Sequence, residues 1–331
     1  MRRISQLLVA GLLGLGIVAA AAGARQDTTL ALVAYSTPNI AFGKLIAAYQ
    51  QTPAGRDVKF TQSYGASEVQ AKSVVDGLSA DVVDFSLEPD MDTLAKAGLV
   101  AKSWNAKADH GFVTRSVVVF VLRDGNPKHI RSWDDLIKPG VQVVTANPFT
   151  SGGARWNMLA AYGSQLREGK TKKQAEAYLN QLFHHVVSQD TSGRNALNTF
   201  LSGRGDVLLT YENEAILAQQ QGRPAYYLIP KATIQIENPI AVVSKSKNKA
   251  AANAFVNYLL SPAAQTIWAQ NGYRPVLHGV LKKFAKQFPP RPQLFKVAYV
   301  GGWSYVIPHF FDPDSGVMAK IEKGLGGSTG G

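Results

Sequence analysis

Cysteine is missing from all 331 residues. Disulfides are therefore excluded, and so is tethering through a lipid-modified cysteine. Histidine is scarce, with six copies, and His184 and His185 stand side by side. Neighbouring helical positions point in different directions, and no second His or carboxylate cluster has ligand spacing, so no metal centre is expected. The nucleophile signature G-x-S-x-G is lacking too, because Gly65-Ala66-Ser67-Glu68-Val69 has no closing glycine. Neither a P-loop nor a dinucleotide fingerprint occurs. These absences leave no candidate catalytic apparatus and no cofactor site.

What is present describes a globular protein. Hydrophobic residues make up 46% and charged residues 18%, enough for a real core, and the length has room for two domains. The start places Arg2 and Arg3 before an apolar run that ends in Ala22-Gly23-Ala24. That order predicts a cleaved signal peptide over residues 1–24 and a periplasmic mature chain. The net charge is +12, and +10 once the two arginines of that segment are removed. Lys and Arg are scattered, the densest cluster being Lys170-Thr171-Lys172-Lys173. This reads as a solvated basic surface that attracts small anions, not as a nucleic-acid face.

Strand-like and helix-like segments alternate. LALVAY (30–35), VKFTQ (58–62), ADVVDF (80–85), SVVVFVL (116–122), VQVVT (141–145), DVLLT (206–210) and PIAVVS (239–244) read as strands. Between them, Phe42, Leu45, Ile46 and Tyr49 repeat at helical spacing, as do Ala71, Val74, Val75 and Leu78. The alternation predicts an α/β protein of mostly parallel sheets covered by helices.

Ligands of open α/β sheets gather where strands feed helix N-termini. Four such junctions are rich in small and hydroxyl residues: Tyr35-Ser36-Thr37-Pro38, Ser63-Tyr64-Gly65-Ala66-Ser67, Thr150-Ser151-Gly152-Gly153 and Asp190-Thr191-Ser192-Gly193-Arg194. Pro38 suits a first helical position, and Ser67 with Gln70 has capping-box spacing. Ser and Thr cap any helix well. Four such ends together fit ordinary caps and a convergent anion site about equally.

From about Leu30 to Trp303 the chain resembles the periplasmic sulfate-binding proteins of ABC importers, receptors of the type II periplasmic-binding fold. The resemblance is carried by Gln62-Ser63, Val75 to Val83 (VDGLSADVV), Asp124 to Lys128 (DGNPK), Trp133 to Val141 (WDDLIKPGV), Asn147-Pro148, Ser151 to Asn157 (SGGARWN), Gly205 to Leu209, Glu212 to Ala215 (ENEA), Tyr273-Arg274-Pro275 and Gly301-Gly302-Trp303. It implies two α/β lobes joined by a hinge: residues 25–110 with 238–323 as the first, 111–237 as the second, and 324–331 as a flexible tail. The stretch from Arg274 to Trp303 is expected against the first lobe. The resemblance also implies a monomeric receptor, not an enzyme, that holds sulfate or thiosulfate and hands it to a membrane permease. Molybdate, tungstate and phosphate are the alternatives, and an exported phosphatase or sulfatase is a distant one.

The family buries its dianion on neutral donors. Carried over, the backbone donors are Ser36, Gly152, Gly153 and Gly193, with serine contacts at Ser67 and Ser151. Such a site would be free of acceptors and so exclude hydrogenphosphate. Two positions depart from the family. Its tryptophan contact falls on Tyr211, whose phenol donates one bond from a different point. The position after Ser67, usually glycine, is Glu68, whose carboxylate is expected to turn outward from the anion. Arg155, Glu68 and Asp190 are expected around the contact set, Arg155 bonding Asp190 or a loop carbonyl, and Tyr64 as cleft wall or core.

Overall fold

All seven strand-like runs become strands of one mixed, continuous sheet path. The computed structural model describes residues 28–106, 109–291, 293–327 and 329. The expected signal peptide, residues 1–24, lies outside the described residues, as does part of the expected tail. Gly324 ends a helix that begins at Val317.

The first three strands, β1 (Thr28–Tyr35), β2 (Val58–Gly65) and β3 (Val82–Asp84), run parallel with β1 in the middle. They feed α1 (Asn39–Tyr49), α2 (Ser67–Val75) and α3 (Glu88–Lys96). A long strand, β4 (Phe112–Leu122), precedes the second trio. Here β5 (Val143–Ala146) feeds α4 (Gly152–Arg167), and α5 (Lys172–His184) leads into β6 (Val186–Asp190). Then β6 feeds α6 (Gly193–Leu201), and β7 (Val207–Tyr211) feeds α7 (Glu212–Gln220). A short β8 (Tyr226–Leu228) pairs with β4, and the long β9 (Ala232–Val242) follows.

Strands run in the order β2-β1-β3-β9-β4-β7-β5-β6. Each trio is parallel, but β9 is antiparallel to β3 and β4, and β4 is antiparallel to β7. The expectation of mostly parallel sheets holds within each trio and fails at the two long strands that join them. Thr114 pairs with Asn238 and Arg115 with Glu237, so β4 and β9 form a two-stranded ribbon between the trios.

Strand β4 explains why SVVVFVL has no polar alternation. Val118, Phe120 and Leu122 enter one buried cluster, with Trp133, Trp156 and Leu159. Val117, Val119 and Val121 enter another, with Leu197, Phe200 and Leu208. A strand covered on both faces must be apolar on both. In the first trio, Leu30, Leu32 and Ala34 pack with Phe42, Leu45 and Trp268, while Val33 faces Val83 and Phe85.

Two local expectations change. The apolar face of α2 is carried by Ala71 and Val74, whereas Val75 and Leu78 are each 40% exposed because the helix stops at Val75. The Arg274–Trp303 stretch is divided. Arg274-Pro275 pairs with β4, but Phe295 and Val300 join the cluster of Trp156 and Tyr162 on α4. Trp303 completes this by packing edge-on against Trp156, ring centroids 4.9 Å apart.

Candidate functional site

The four junctions singled out in the sequence meet at one small cavity of ≈ 20 Å³. Ser36, Ser67, Ser151, Gly152, Gly153, Gly193 and Tyr211 all line it. They arrive from opposite trios because the carboxyl ends of β1 and β2 face those of β5, β6 and β7 across the β4–β9 ribbon. One of the bonds that hold the two sides together runs from Arg194 on α6, whose Nη2 donates to Thr37 O at 2.7 Å. Within the second trio, Thr150 Oγ1 ties the two junctions by donating to Thr191 O at 3.0 Å.

Local chemistry sets each junction. Ser151 and Ser192 cap α4 and α6, their hydroxyl oxygens accepting from Ala154 N (3.4 Å) and Asn195 N (3.2 Å). Each therefore keeps its own O–H proton to donate. In the fourth junction the cap is thus Ser192, and Asp190 closes β6, accepting from Thr199 Oγ1 at 2.8 Å and Ser188 Oγ at 3.2 Å. Pro38 is the residue just before α1. Gly152 is required by crowding: a Cβ there would stand 2.6 Å from Ser86 Oγ and 2.9 Å from Leu87 Cγ.

The second junction departs from expectation. Ala66 caps α2, and Ser67 is its first helical residue, so the Ser67–Gln70 capping box does not form. Gln70 instead accepts from Ser63 Oγ at 3.1 Å. Ser67 Oγ donates to Asp90 Oδ2 at 2.5 Å and accepts from Ser86 N at 2.9 Å. Its hydroxyl proton is therefore committed to a carboxylate. Burial pushes Asp90 up to about 6, against the opposing pull of Arg155 and of the Ser67 bond.

No residue lining the cavity carries a formal charge. The nearby charges are paired around it. Arg155 donates from Nε to Pro148 O at 2.8 Å and from Nη2 to the Glu68 carboxylate. The expected loop carbonyl is thus Pro148, and Asp190 is not a partner of Arg155. Arg194 grips Glu214 with two bonds of 2.7 Å. Asp84, below the site, has an unpartnered buried oxygen, and burial raises its pKa well above the carboxylate range. Tyr211 is 2% exposed, and burial raises its hydroxyl as well.

Sequence reading missed several lining residues: Ser86, Asn157 and Thr210 among them. Asn157 Nδ2 donates to Leu209 O at 2.8 Å and Thr145 Oγ1 at 3.0 Å, which fixes the amide. Its Oδ1 has no hydrogen-bond partner among the described residues. The lining is therefore neutral without being free of acceptors, which corrects the donor-only expectation. Ser86 had no cap or glycine signal to reveal it. Tyr64 is not in the wall; its hydroxyl donates to Gln62 Oε1 at 2.7 Å and its ring packs on Phe42. Among the described residues no group of His, Asp and Glu is arranged to hold a metal. His184 and His185 instead contact Asn180 O and Val141 O.

Residues 30–274 match the model of the bacterial extracellular solute-binding protein family. The chain belongs to that family. Among similar proteins, the sulfate-binding protein of Synechococcus elongatus is 42% identical over 92% of this chain and 89% of its own. A thiosulfate-binding protein of Pseudomonas aeruginosa is 40% identical, covering 87% of this chain and 88% of its own. In structure, the sulfate-binding protein SubI from Mycobacterium tuberculosis H37Rv superposes with a TM-score of 0.84 at 45% identity, over 86% of this chain and 100% of that one. These relatives establish the two-lobed periplasmic-binding fold. Like them, this extracellular solute-binding protein is a carrier and not an enzyme.

Proposed function

We propose that this solute-binding protein captures sulfate, with thiosulfate as its nearest competitor, between its lobes and delivers it to an ABC permease. The observation that carries this reading is a neutral cavity ringed by the N-termini of α2, α4 and α6 and the entrance to α1. Helix N-termini present N–H groups and fixed partial positive charge to an anion. Burying a dianion is costly unless its lone pairs find donors. Charge-assisted hydrogen bonds return about 1.5–3 kcal/mol each. About half a dozen would leave micromolar affinity, near −8 kcal/mol, after ordering costs. The names of the more similar relatives, sulfate- and thiosulfate-binding proteins at about 40% identity, favour those two anions.

The donors would be the backbone N–H groups of Ser36, Gly152, Gly153 and Gly193 with the hydroxyl of Ser151. Ser67 would contribute through its backbone, since its hydroxyl is held by Asp90. We place the lobe boundaries at residues 110/111 and 237/238, where β4 and β9 cross, and count the segment from Gln293 with the second lobe by its packing. Closure of the ribbon on the anion would generate the form a permease recognises. The receptor would work as a periplasmic monomer after loss of its N-terminal signal.

Calorimetric titration of the dialysed protein with sulfate, thiosulfate, molybdate and phosphate across pH 5 to 8 tests this. Micromolar or tighter sulfate binding, tighter than that of phosphate or molybdate, is the expected result. Phosphate or molybdate binding without sulfate binding would overturn it.

A further inference from the structure

Ser86, in the turn between β3 and α3, is assigned no role by the carry-over from the family, yet it lines the cavity and is 1% exposed. Its backbone is tied on both sides. The N–H donates to Ser67 Oγ at 2.9 Å, and the carbonyl accepts from Trp156 Nε1 at 2.9 Å and Asn238 Nδ2 at 3.3 Å. These bonds come from α2, α4 and β9, so the Ser86 hydroxyl is placed by three separate elements.

Ser86 Oγ and the Tyr211 hydroxyl stand 2.6 Å apart. Two hydroxyls bring two protons, and a single hydrogen bond between them uses one. The Asn238 amide also reaches the Tyr211 hydroxyl, as a donor, so it takes up neither hydroxyl proton, and one O–H remains free beside the cavity that both residues line. Phenols are stronger acids than alcohols and make the better donors. With Tyr211 as the donor to Ser86, the free proton belongs to Ser86. Position favours the same assignment. Ser86 Oγ abuts Gly152 at the first turn of α4, whereas Tyr211 meets Gly153 with its ring carbons Cε1 and Cζ.

Resting on the oxyanion reading above, we infer that Ser86 is the side-chain hydroxyl by which the first trio grips the bound oxyanion, and that Tyr211 is a positioning residue acting through it. The pair thereby fills the role that the family resemblance implied for the Ser67 hydroxyl, whose proton is engaged with Asp90.

The test compares the parent with S86A, Y211F and the double variant, by sulfate calorimetry and by melting without ligand. S86A is expected to weaken sulfate about tenfold to a hundredfold, the loss of one hydrogen bond to a charged group, with ligand-free melting lowered slightly by the unpaired Tyr211 hydroxyl. Y211F should weaken it less, roughly three- to tenfold, and the double variant should match S86A within about twofold, because the tyrosine works through the serine. Sulfate binding by S86A within about twofold of the parent overturns the assignment. So does a double variant whose loss is the product of the two single losses, which marks Tyr211 as an independent contact. Should S86A melt well below the parent, S86C decides, since it keeps the bulk with a weak S–H donor. Intermediate affinity supports the assignment, and parent-like affinity overturns it. A parent that binds neither sulfate nor thiosulfate overturns the functional reading, and the role of Ser86 with it.

Discussion

Glu68 on α2 and Arg155 on α4 form an ion pair that joins the two strand trios beside the cavity. Their neighbours Ser67 and Gly152–Ala154 sit at the inner end of each helix, Ser67 and Gly152 lining the cavity, while Glu68 and Arg155 line a separate outer hollow with Phe149 and Phe311. The Glu68 carboxylate, expected to turn outward, faces this outer hollow and is neutralised by a guanidinium that also lies 5.2 Å over the Phe311 ring. A contact across the cleft mouth is stretched or broken whenever the lobes separate.

Removing this pair should speed ligand release without abolishing binding. The Glu68 side chain is 47% exposed, so the pair contributes at most about 1 kcal/mol in water. We expect E68Q to weaken sulfate about fivefold or less, through the dissociation rate, and to flatten the salt dependence of that rate. Stopped-flow release at low and high salt measures both. An unchanged release rate would remove the pair from the closing step.

The two glycines at helix starts should respond differently to a methyl group. At Gly152 a Cβ would collide with Ser86 Oγ at 2.6 Å and Ser86 Cβ at 2.8 Å, so G152A should cost at least about a hundredfold in sulfate affinity by displacing the α4 donors. At Gly193 the nearest atom would be Thr37 Cγ2 at an ordinary 3.6 Å, and G193A should stay within about threefold. Equal losses would show that steric crowding is not what selects glycine at 152.

Asp90 should make the protein more stable in acid than its other carboxylates allow. Burial, partly opposed by Arg155 and Ser67, pushes it up to about 6, above the ordinary value near 3.9. The folded protein therefore holds this proton more tightly than the unfolded chain. The contribution is full below about pH 4 and is lost as pH rises through about 6, roughly 3 kcal/mol in all. D90N has no such proton to lose and should gain on the parent between pH 4 and 7. Urea unfolding at both pH values, read as the difference between the two proteins, checks this; a constant difference would refute it.

Arg274 and Glu212 form a second test of burial. Arg274 donates twice to Glu212, at 2.6 Å and 3.0 Å, and the carboxylate is fully buried. R274M should destabilise the fold by about 3–5 kcal/mol because it strands a buried charge. Adding E212Q should recover much of that loss, and denaturant unfolding of both variants reads the difference. If R274M alone is nearly neutral, Glu212 accepts a proton at little cost.

Much of this protein could be read along the chain. Apolar runs such as LALVAY and SVVVFVL must be strands covered by helices, because period and β-branching leave few other solutions. Junctions such as Ser151-Gly152-Gly153 announce helix starts, because capping chemistry is local. The motifs from Gln62 to Trp303 carried the family itself. What stayed hidden depended on distance in sequence. Ser86 and Tyr211 lie 125 positions apart and bear no shared motif, yet their hydroxyls meet at 2.6 Å. Asp90 accepts the hydrogen bond of Ser67 from 23 residues away, a partner that the local Ser67–Gln70 spacing does not reveal. Glu68 finds Arg155 across 87 residues. Local propensity determines which segments become strands and helix ends. Which hydroxyl is free to donate, and which charge is neutralised, is decided only when the β4–β9 ribbon brings two sets of helix ends face to face, because hydrogen bonds and ion pairs form between neighbours in space.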